Sequence, residues 1–276
     1  MRAVFYLLLV ILAAGIVKYS VESAQLSDEA AHRLDLASST ELVWKSVLEK
    51  LSFNLYQGAQ DERLDLSAFY VEAERKQMRA EHIAWVFLLI VAGYLGGKYA
   101  LLRRMRAAKM SSAIATDCIV VAFIAFMVGI VAPVMALRAY TELPVLGTVI
   151  LKYESKSVVT ALSTLFDSGN WFIGCLIALF SVLLPVAKTA VSLMSLQSRK
   201  PRWSLQATQV IKAIGKWSMA DVFVIAIFLA YFALDDDRFS DATIGLGLYF
   251  FAAYCLLAQF TTLYLLTDGG DGKGAG

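Results

Sequence analysis

Long apolar runs separated by polar segments dominate this sequence. A helix needs about 20 apolar residues to cross the roughly 30 Å hydrocarbon core of a bilayer. Five runs reach or approach that length and one near the start is shorter; together they cover residues 3–17, 82–102, 118–137, 171–196, 219–234 and 244–266. The pattern predicts an all-α, polytopic membrane protein with six transmembrane helices. The composition agrees, because 59% of the residues are hydrophobic.

The polar segments predict a few elements outside the membrane. Within the outer loop of about residues 18–81, residues 27–81 are polar with helical periodicity, and they form either a helical cap that docks a partner or a solvated spacer. From about residue 67 one long helix is expected to run through the second span to about residue 109. The alternating stretch 148–153, TVILKY, predicts a short strand. Residues 155–166 predict an amphipathic helix along the bilayer surface.

Two prolines, Pro133 and Pro185, fall inside predicted spans, where a missing backbone donor kinks a helix.

The first apolar run, residues 3–17, has two interpretations. It is either an uncleaved membrane anchor or a signal peptide, and Glu22 disfavours cleavage after Ala24. In both cases the polar segment that follows lies outside the cytoplasm.

Charge along the loops predicts the orientation. Segments 103–116 and 197–218 carry four and five basic residues and no acid, whereas 18–81 carries twelve acids against eight basic residues. Basic loops stay in the cytoplasm of membrane proteins. Six spans then place both termini in the cytoplasm. Lys212 and Lys216, in the second basic loop, contact anionic lipid head groups or serve only as topology determinants.

Ionisable residues at the edges of apolar runs are the candidate functional groups, because hydrocarbon penalises a lone charge by about 2.5–3.5 kcal/mol. Lys188 interrupts the apolar run 171–196, and Asp221 lies at the start of the next run, 219–234. Helical spacing and depth predict one polar cluster in the bundle, formed by Ser181, Lys188, Ser218, Asp221, Thr261 and Thr262. The alternative is structural: Ser218 and Asp221 cap a helix while Lys188 snorkels to the interface.

Other chemistries lack a pattern in the sequence. The three cysteines form no CxxC motif, and no catalytic set, metal motif or cofactor loop is present. We therefore expect neither an enzyme nor a metal or cofactor site. Nothing indicates binding to nucleic acid.

One motif resembles a known family. Residues 215–223, GKWSMADVF, are similar to the signature of the paraquat-inducible protein A family, and 184–188, LPVAK, to its Pro-x-x-Lys segment. The resemblance covers about residues 117–266, a single module. Only the four-span module (117–267) resembles the family. The sequence pattern predicts two further parts: an N-terminal transmembrane hairpin with a helical periplasmic loop (1–116, loop about 18–81) and a disordered cytoplasmic tail (268–276).

The resemblance also implies a function. Family members sit in the inner membrane of Gram-negative bacteria and handle phospholipid for periplasmic partners of the mammalian-cell-entry type, which supports envelope integrity. A single-module protein is expected to work as a homodimer or as an accessory subunit. The other hypothesis is a membrane scaffold or envelope-stress sensor that uses its periplasmic helical cap and transports nothing.

Overall fold

The computed structural model describes residues 2–36, 58–105, 111–143, 147–197 and 240–268. Helices dominate it, as predicted, and a small antiparallel sheet accompanies them. Within the described residues, four helices are long and apolar enough to cross a membrane: Arg2–Glu29, Ala68–Leu101, Ile114–Val131 and Trp171–Leu196. The predicted span at 219–234 lies outside the described residues.

Two long helices form an antiparallel hairpin at the start of the chain. Helix α1 (Arg2–Leu36) has 35 residues and helix α2 (Gly58–Met105) has 48. At 1.5 Å per residue these are about 52 and 72 Å long, so both extend well beyond a bilayer core of about 30 Å. The continuous helix predicted through the second span is confirmed.

The hairpin is held by contacts along its length. The hydroxyl of Ser23 donates to the carbonyl of Ala73 at 2.7 Å. Nearby, the ammonium of Lys76 lies 3.1 Å from the carboxylate of Glu22. At the opposite end of the pair, the ring of Phe5 in α1 stacks on the ring of Tyr94 in α2, with centroids 3.8 Å apart. These contacts fix the two helices side by side both inside and outside the apolar stretch.

The buried core centres on helix α3 (Ser111–Val131) and the last described helix, Leu246–Asp268. Aromatic side chains fill the space between them, with Phe126 and Tyr254 rings 4.8 Å apart. Gly129 permits the close approach, because a Cβ there would lie 2.7 Å from the backbone nitrogen of Phe251. A larger residue at this position would push the two helices apart.

Helix α3 ends earlier than expected, and the predicted kink at Pro133 is wrong. The helix stops at Val131, and the chain enters a strand at Met135. Proline disfavours helical geometry in the residue before it, here Ala132, so the helix ends at the proline instead of bending around it. Pro133 therefore lies in the connection between α3 and the sheet.

The sheet has three antiparallel strands in the order β2-β1-β3. Strand β1 (Met135–Leu143) pairs with β2 (Gly147–Lys156) and with β3 (Ser240–Ile244). The predicted strand at 148–153 is confirmed within β2, whereas β1 and β3 were not predicted. The sheet joins the end of α3 to the start of the last helix, since the Gly247 amide donates to the Pro133 carbonyl at 2.9 Å.

A short amphipathic helix follows the sheet, as predicted. Helix α4 (Val158–Asp167) begins at Ser157, whose hydroxyl accepts from the Thr160 amide at 3.1 Å. The next membrane-crossing helix consists of three consecutive segments: helix α5 (Trp171–Ala178), a π-helical turn (Leu179–Leu183) and helix α6 (Leu184–Gln197). After β3, helix α7 (Leu246–Asp268) is the last described element. The predicted tail lies almost entirely outside the described residues.

Candidate functional sites in the helical bundle

Lys188 is buried in helix α6, with only 3% of its surface exposed. Its surroundings are polar for an apolar span. Thr189 is also buried, and its hydroxyl donates to the Pro185 carbonyl at 2.8 Å. The hydroxyl of Tyr254 in α7 donates to the same carbonyl at 3.1 Å. The Pro185 carbonyl, one turn before Lys188, therefore joins α6 to α7, and the Lys188 side chain is buried at this level of the span.

The helix is distorted just before Lys188, as the position of Pro185 predicts. Because Pro185 has no amide hydrogen and its ring crowds the carbonyl four residues earlier, a regular α-helical turn is disfavoured there. The π-helical turn Leu179–Leu183 lies immediately before it, and Ser181 is half-buried in this turn. Such turns are frequent at functional sites because they redirect side chains and free carbonyls.

Ser192 adds a polar group that the sequence reading missed. It follows Lys188 by four residues, so the two lie on one face of α6. Its side chain is fully buried, and its hydroxyl has no hydrogen-bond partner among the described residues. Buried hydroxyls normally find a partner. An i+4 search from Lys188 along the sequence would have identified Ser192.

Thr261 and Thr262 are buried in α7, but their hydroxyls bond within that helix. Thr261 donates to the Leu257 carbonyl at 3.0 Å and Thr262 to the Ala258 carbonyl at 2.8 Å. Such local bonds satisfy a hydroxyl in a span without any interhelical partner. Contact between these threonines and Lys188 therefore stays a prediction.

The remaining predicted residues lie outside the described residues. They are Ser218 and Asp221 of the cluster and the two loop lysines, Lys212 and Lys216. The Lys188–Asp221 pair and the head-group contacts accordingly remain predictions. Among the described residues, no group of three metal-ligating side chains comes together.

A second polar cluster, not predicted, joins the hairpin to α3. Asp117 has no exposed surface, yet four side chains from α1 and α2 surround its carboxylate. The hydroxyl of Tyr6 donates to Oδ1 at 2.5 Å and that of Tyr94 to Oδ2 at 3.3 Å. The ammonium of Lys98 pairs with Oδ2, and Nε of Arg2 lies 3.6 Å from Oδ1. We call these five residues the Asp117 cluster.

The Asp117 cluster ties three predicted spans together through one carboxylate. A buried carboxylate is tolerated when charges and hydrogen bonds compensate for its lost hydration, and here two cations and two hydroxyls do so. The same rule that identified Lys188 applies to Lys98 and Asp117, since both stand within or at the edge of apolar runs. Lys98 and Asp117 are only 19 positions apart, so this pair was accessible from the sequence, whereas Tyr6 lies 111 positions from Asp117.

Comparison with known proteins bears on the second half of the chain. Residues 141–267 match the family described as paraquat-inducible protein A. The resemblance inferred from GKWSMADVF is therefore confirmed, and the matched residues include Lys188 and the rest of the predicted polar cluster. The hairpin and Asp117 precede the matched segment.

The chain is also similar to a Haemophilus influenzae protein named probable intermembrane transport protein. The two are 21% identical over 140 residues, which are 48% of this chain and 33% of the relative. The aligned part thus spans about a third of the relative's length. Together with the apolar helices, these matches describe a multi-pass membrane protein, one segment of which matches the paraquat-inducible protein A family.

Proposed function

We propose that the protein takes part in moving phospholipid between membranes, as a multi-pass component of the bacterial inner membrane with both termini in the cytoplasm. Similarity to the Haemophilus influenzae protein supports this class of function. The observation that carries the proposal is the burial of Lys188, 3% exposed, inside the segment that matches the family. A lysine is retained at such a position at a cost in stability, which favours a working role.

The working site is the polar cluster of the bundle. In this proposal Asp221 of the following span approaches Lys188, and Ser181, Ser218, Thr261 and Thr262 complete the lining. An ammonium offers three hydrogen-bond donors and a positive charge to a lipid phosphate. A neighbouring carboxylate keeps that ammonium compensated while the site is empty, or exchanges a proton with it during the cycle. No covalent chemistry is involved, so the protein acts as a transporter and not as an enzyme.

A periplasmic protein of the mammalian-cell-entry type would be the partner that receives or delivers the lipid. The sheet follows the end of α3 that is opposite the basic loop 103–116, and in this proposal the sheet and helix α4 face the periplasm. Lys212 and Lys216 would hold anionic head groups at the cytoplasmic surface. One module per chain favours assembly as a homodimer.

The test replaces Lys188 by Met and Asp221 by Asn, separately, in the full-length protein. A photo-crosslinker at Ser181 reports captured phospholipid, and the permeability of the cell envelope reports function in a strain that lacks the gene. We expect both variants to lose most of the captured lipid and to leave the envelope permeable. Lys188→Arg should retain part of both signals because it keeps the charge.

The matched control is Val186→Met, two residues from Lys188 and on the outward side of the same helix, where Val186 is partly exposed. It should behave as wild type. If Lys188→Met and Asp221→Asn reach normal protein levels and keep full lipid capture and envelope integrity, the cluster is structural and the proposed mechanism is wrong.

One observation favours the second candidate, a scaffold or envelope-stress sensor. The hairpin continues as paired helix beyond the apolar stretch, braced by the Glu22–Lys76 ion pair and the Ser23–Ala73 hydrogen bond. Replacing residues 37–57 by a Gly/Ser linker of equal length keeps this hairpin and removes its connecting segment. A transporter should retain lipid capture at Ser181, whereas a sensor should lose its response to envelope stress.

A further inference from the structure

A cavity of about 400 Å³ lies between the outer halves of α1 and α2 and the sheet. This volume is within the roughly 300–1,000 Å³ typical of small-molecule sites. The walls formed by the hairpin are rich in hydroxyls and carboxylates, contributed by Ser20, Ser23, Ser27, Tyr70, Glu74 and Glu81. Pro133, Ser155 and Thr243 close it from the side of the sheet.

The hydroxyl of Ser20 in this wall has no hydrogen-bond partner among the described residues. Ser23 donates to the Ala73 carbonyl, and Ser27 donates to the Ser23 carbonyl at 3.1 Å. Ser20 is only 1% exposed, and its hydroxyl makes no hydrogen bond within the described part of the chain. Buried polar groups are normally satisfied, so an orphan hydroxyl in the wall of a cavity points to a polar ligand that the site is built to hold.

The charge of the lining selects the ligand. Glu74 and Glu81 are both acidic, and one oxygen of Glu81 accepts from the Gln77 amide at 3.2 Å, which leaves its other oxygen for a ligand. Arg75, Lys76 and Arg79 on the same helix do not line the cavity. Lys76 instead pairs with Glu22 and Glu72. A lining of acceptors and negative charges attracts a cation that donates hydrogen bonds and repels a phosphate group.

The cavity also lies at a defined depth. The apolar run of α1 ends at about residue 17, and charged residues begin with Lys18. Ser20, one turn further on, is therefore close to the outer boundary of the bilayer, where lipid head groups reside. A primary ammonium with three donors fits the acceptors there.

We propose that this cavity binds a primary ammonium group, supplied in the membrane by the head group of phosphatidylethanolamine. The ammonium is held by the carboxylates of Glu74 and Glu81 and by the hydroxyl of Ser20. The phosphate stays at the mouth of the cavity, away from the carboxylates. This goes beyond the transport proposal: all of the hairpin lining precedes the family-matched residues, and the site would select this head group whether or not lipid is moved.

The experiment measures which lipids the full-length protein retains. The protein is incorporated into nanodiscs of phosphatidylethanolamine and phosphatidylglycerol in equal amounts, and the retained lipids are counted by native mass spectrometry. The double variant Glu74→Gln/Glu81→Gln should lower the ratio of retained phosphatidylethanolamine to phosphatidylglycerol by about fivefold or more, because two charge-assisted contacts are lost. Ser20→Ala should lower it less.

Arg79→Gln is the matched control, since Arg79 is exposed on the same helix and lies off the cavity. It should leave the ratio unchanged. An unchanged ratio in the double variant, or equal retention of both lipids by the wild type, would overturn the proposal.

Titration with free ethanolamine distinguishes the source of the ammonium group. Binding of ethanolamine that depends on Glu74 and Glu81, without any lipid preference, would assign the site to a soluble amine. A copurifying peptide that crosslinks to Ser20 would assign it to a protein partner.

Discussion

Replacing Asp117 tests whether the Asp117 cluster holds the hairpin to the rest of the protein. Asp117→Asn keeps the shape of the side chain and one acceptor oxygen but removes the negative charge. Lys98 and Arg2 then face each other without their shared carboxylate, and the hydrogen bonds from Tyr6 and Tyr94 lose their charged acceptor. We expect the free energy of unfolding to fall.

The magnitude follows from how exposed each partner is. Breaking a buried ion pair by removing one member costs about 3–5 kcal/mol, whereas an exposed pair contributes about 0–1 kcal/mol. Asp117 is completely buried, but the side chain of Lys98 is 18% exposed and that of Arg2 is 52% exposed. Both cations therefore regain part of their hydration when the carboxylate is lost. The expected loss for Asp117→Asn is about 2–3 kcal/mol, mostly from Lys98 and the two tyrosines.

The assay is unfolding of the purified protein in mixed micelles, followed by the fluorescence of its tryptophans. The double variant Asp117→Leu/Lys98→Met should recover part of the loss, since no buried charge is then left alone. Lys18→Met is the control, because the Lys18–Glu22 pair is exposed and 4.0 Å long; it should change stability by less than about 1 kcal/mol.

Two results would refute the reasoning. A cost below about 0.5 kcal/mol for Asp117→Asn would mean that the carboxylate is not energetically coupled to the hairpin. Additive losses in the double variant would mean that Lys98 and Asp117 act independently.

Two further predictions concern the packing of the bundle. Gly129→Ala should destabilise the protein by about 1–3 kcal/mol, because its Cβ would meet the Phe251 backbone. The control Gly96→Ala has open space around it and should be neutral or stabilising by up to about 1 kcal/mol. Unfolding in mixed micelles measures both free energies. Tyr254→Phe should cost about 0.5–1.5 kcal/mol by removing the hydrogen bond to the Pro185 carbonyl, and unchanged stability would show that this bond contributes nothing net.

The helices were predictable because the apolar runs are long and the bilayer sets their length. The boundary at Pro133 was not, because the sequence from 118 to 137 is apolar throughout and a proline in such a run can either kink the helix or end it. Strand β3 was equally hidden. Its partner β1 lies about 100 residues earlier, and only the folded chain brings Met135 opposite Ile244. Pairing between distant strands is not encoded in local periodicity.

The candidate sites, like the fold, could be predicted from the sequence only in part. Lys188 could be identified from the sequence because a single charge in an apolar run is a local signal. The Asp117 cluster could not be assembled, since Tyr6 and Asp117 are 111 positions apart and a tyrosine in a span is common. The cavity at Ser20 was likewise invisible, because its walls come from three helices and three strands. The sequence of α1 alone does not show that its serines line a cavity, because the opposing walls are formed by α2 and the sheet.

The two ends of the hairpin make it part of the same packed unit as α3 and the sheet. At the end near the basic loops, Arg2, Tyr6 and Lys98 surround Asp117 of α3. At the other end, α1 and α2 form one side of a cavity whose opposite side is the sheet. Removing the whole hairpin would leave a carboxylate buried in an apolar helix and uncover the wall of the cavity. Loss of activity after such a deletion would therefore report unfolding as readily as function, and point substitutions at Glu74, Glu81 and Lys188 are the variants that separate the two.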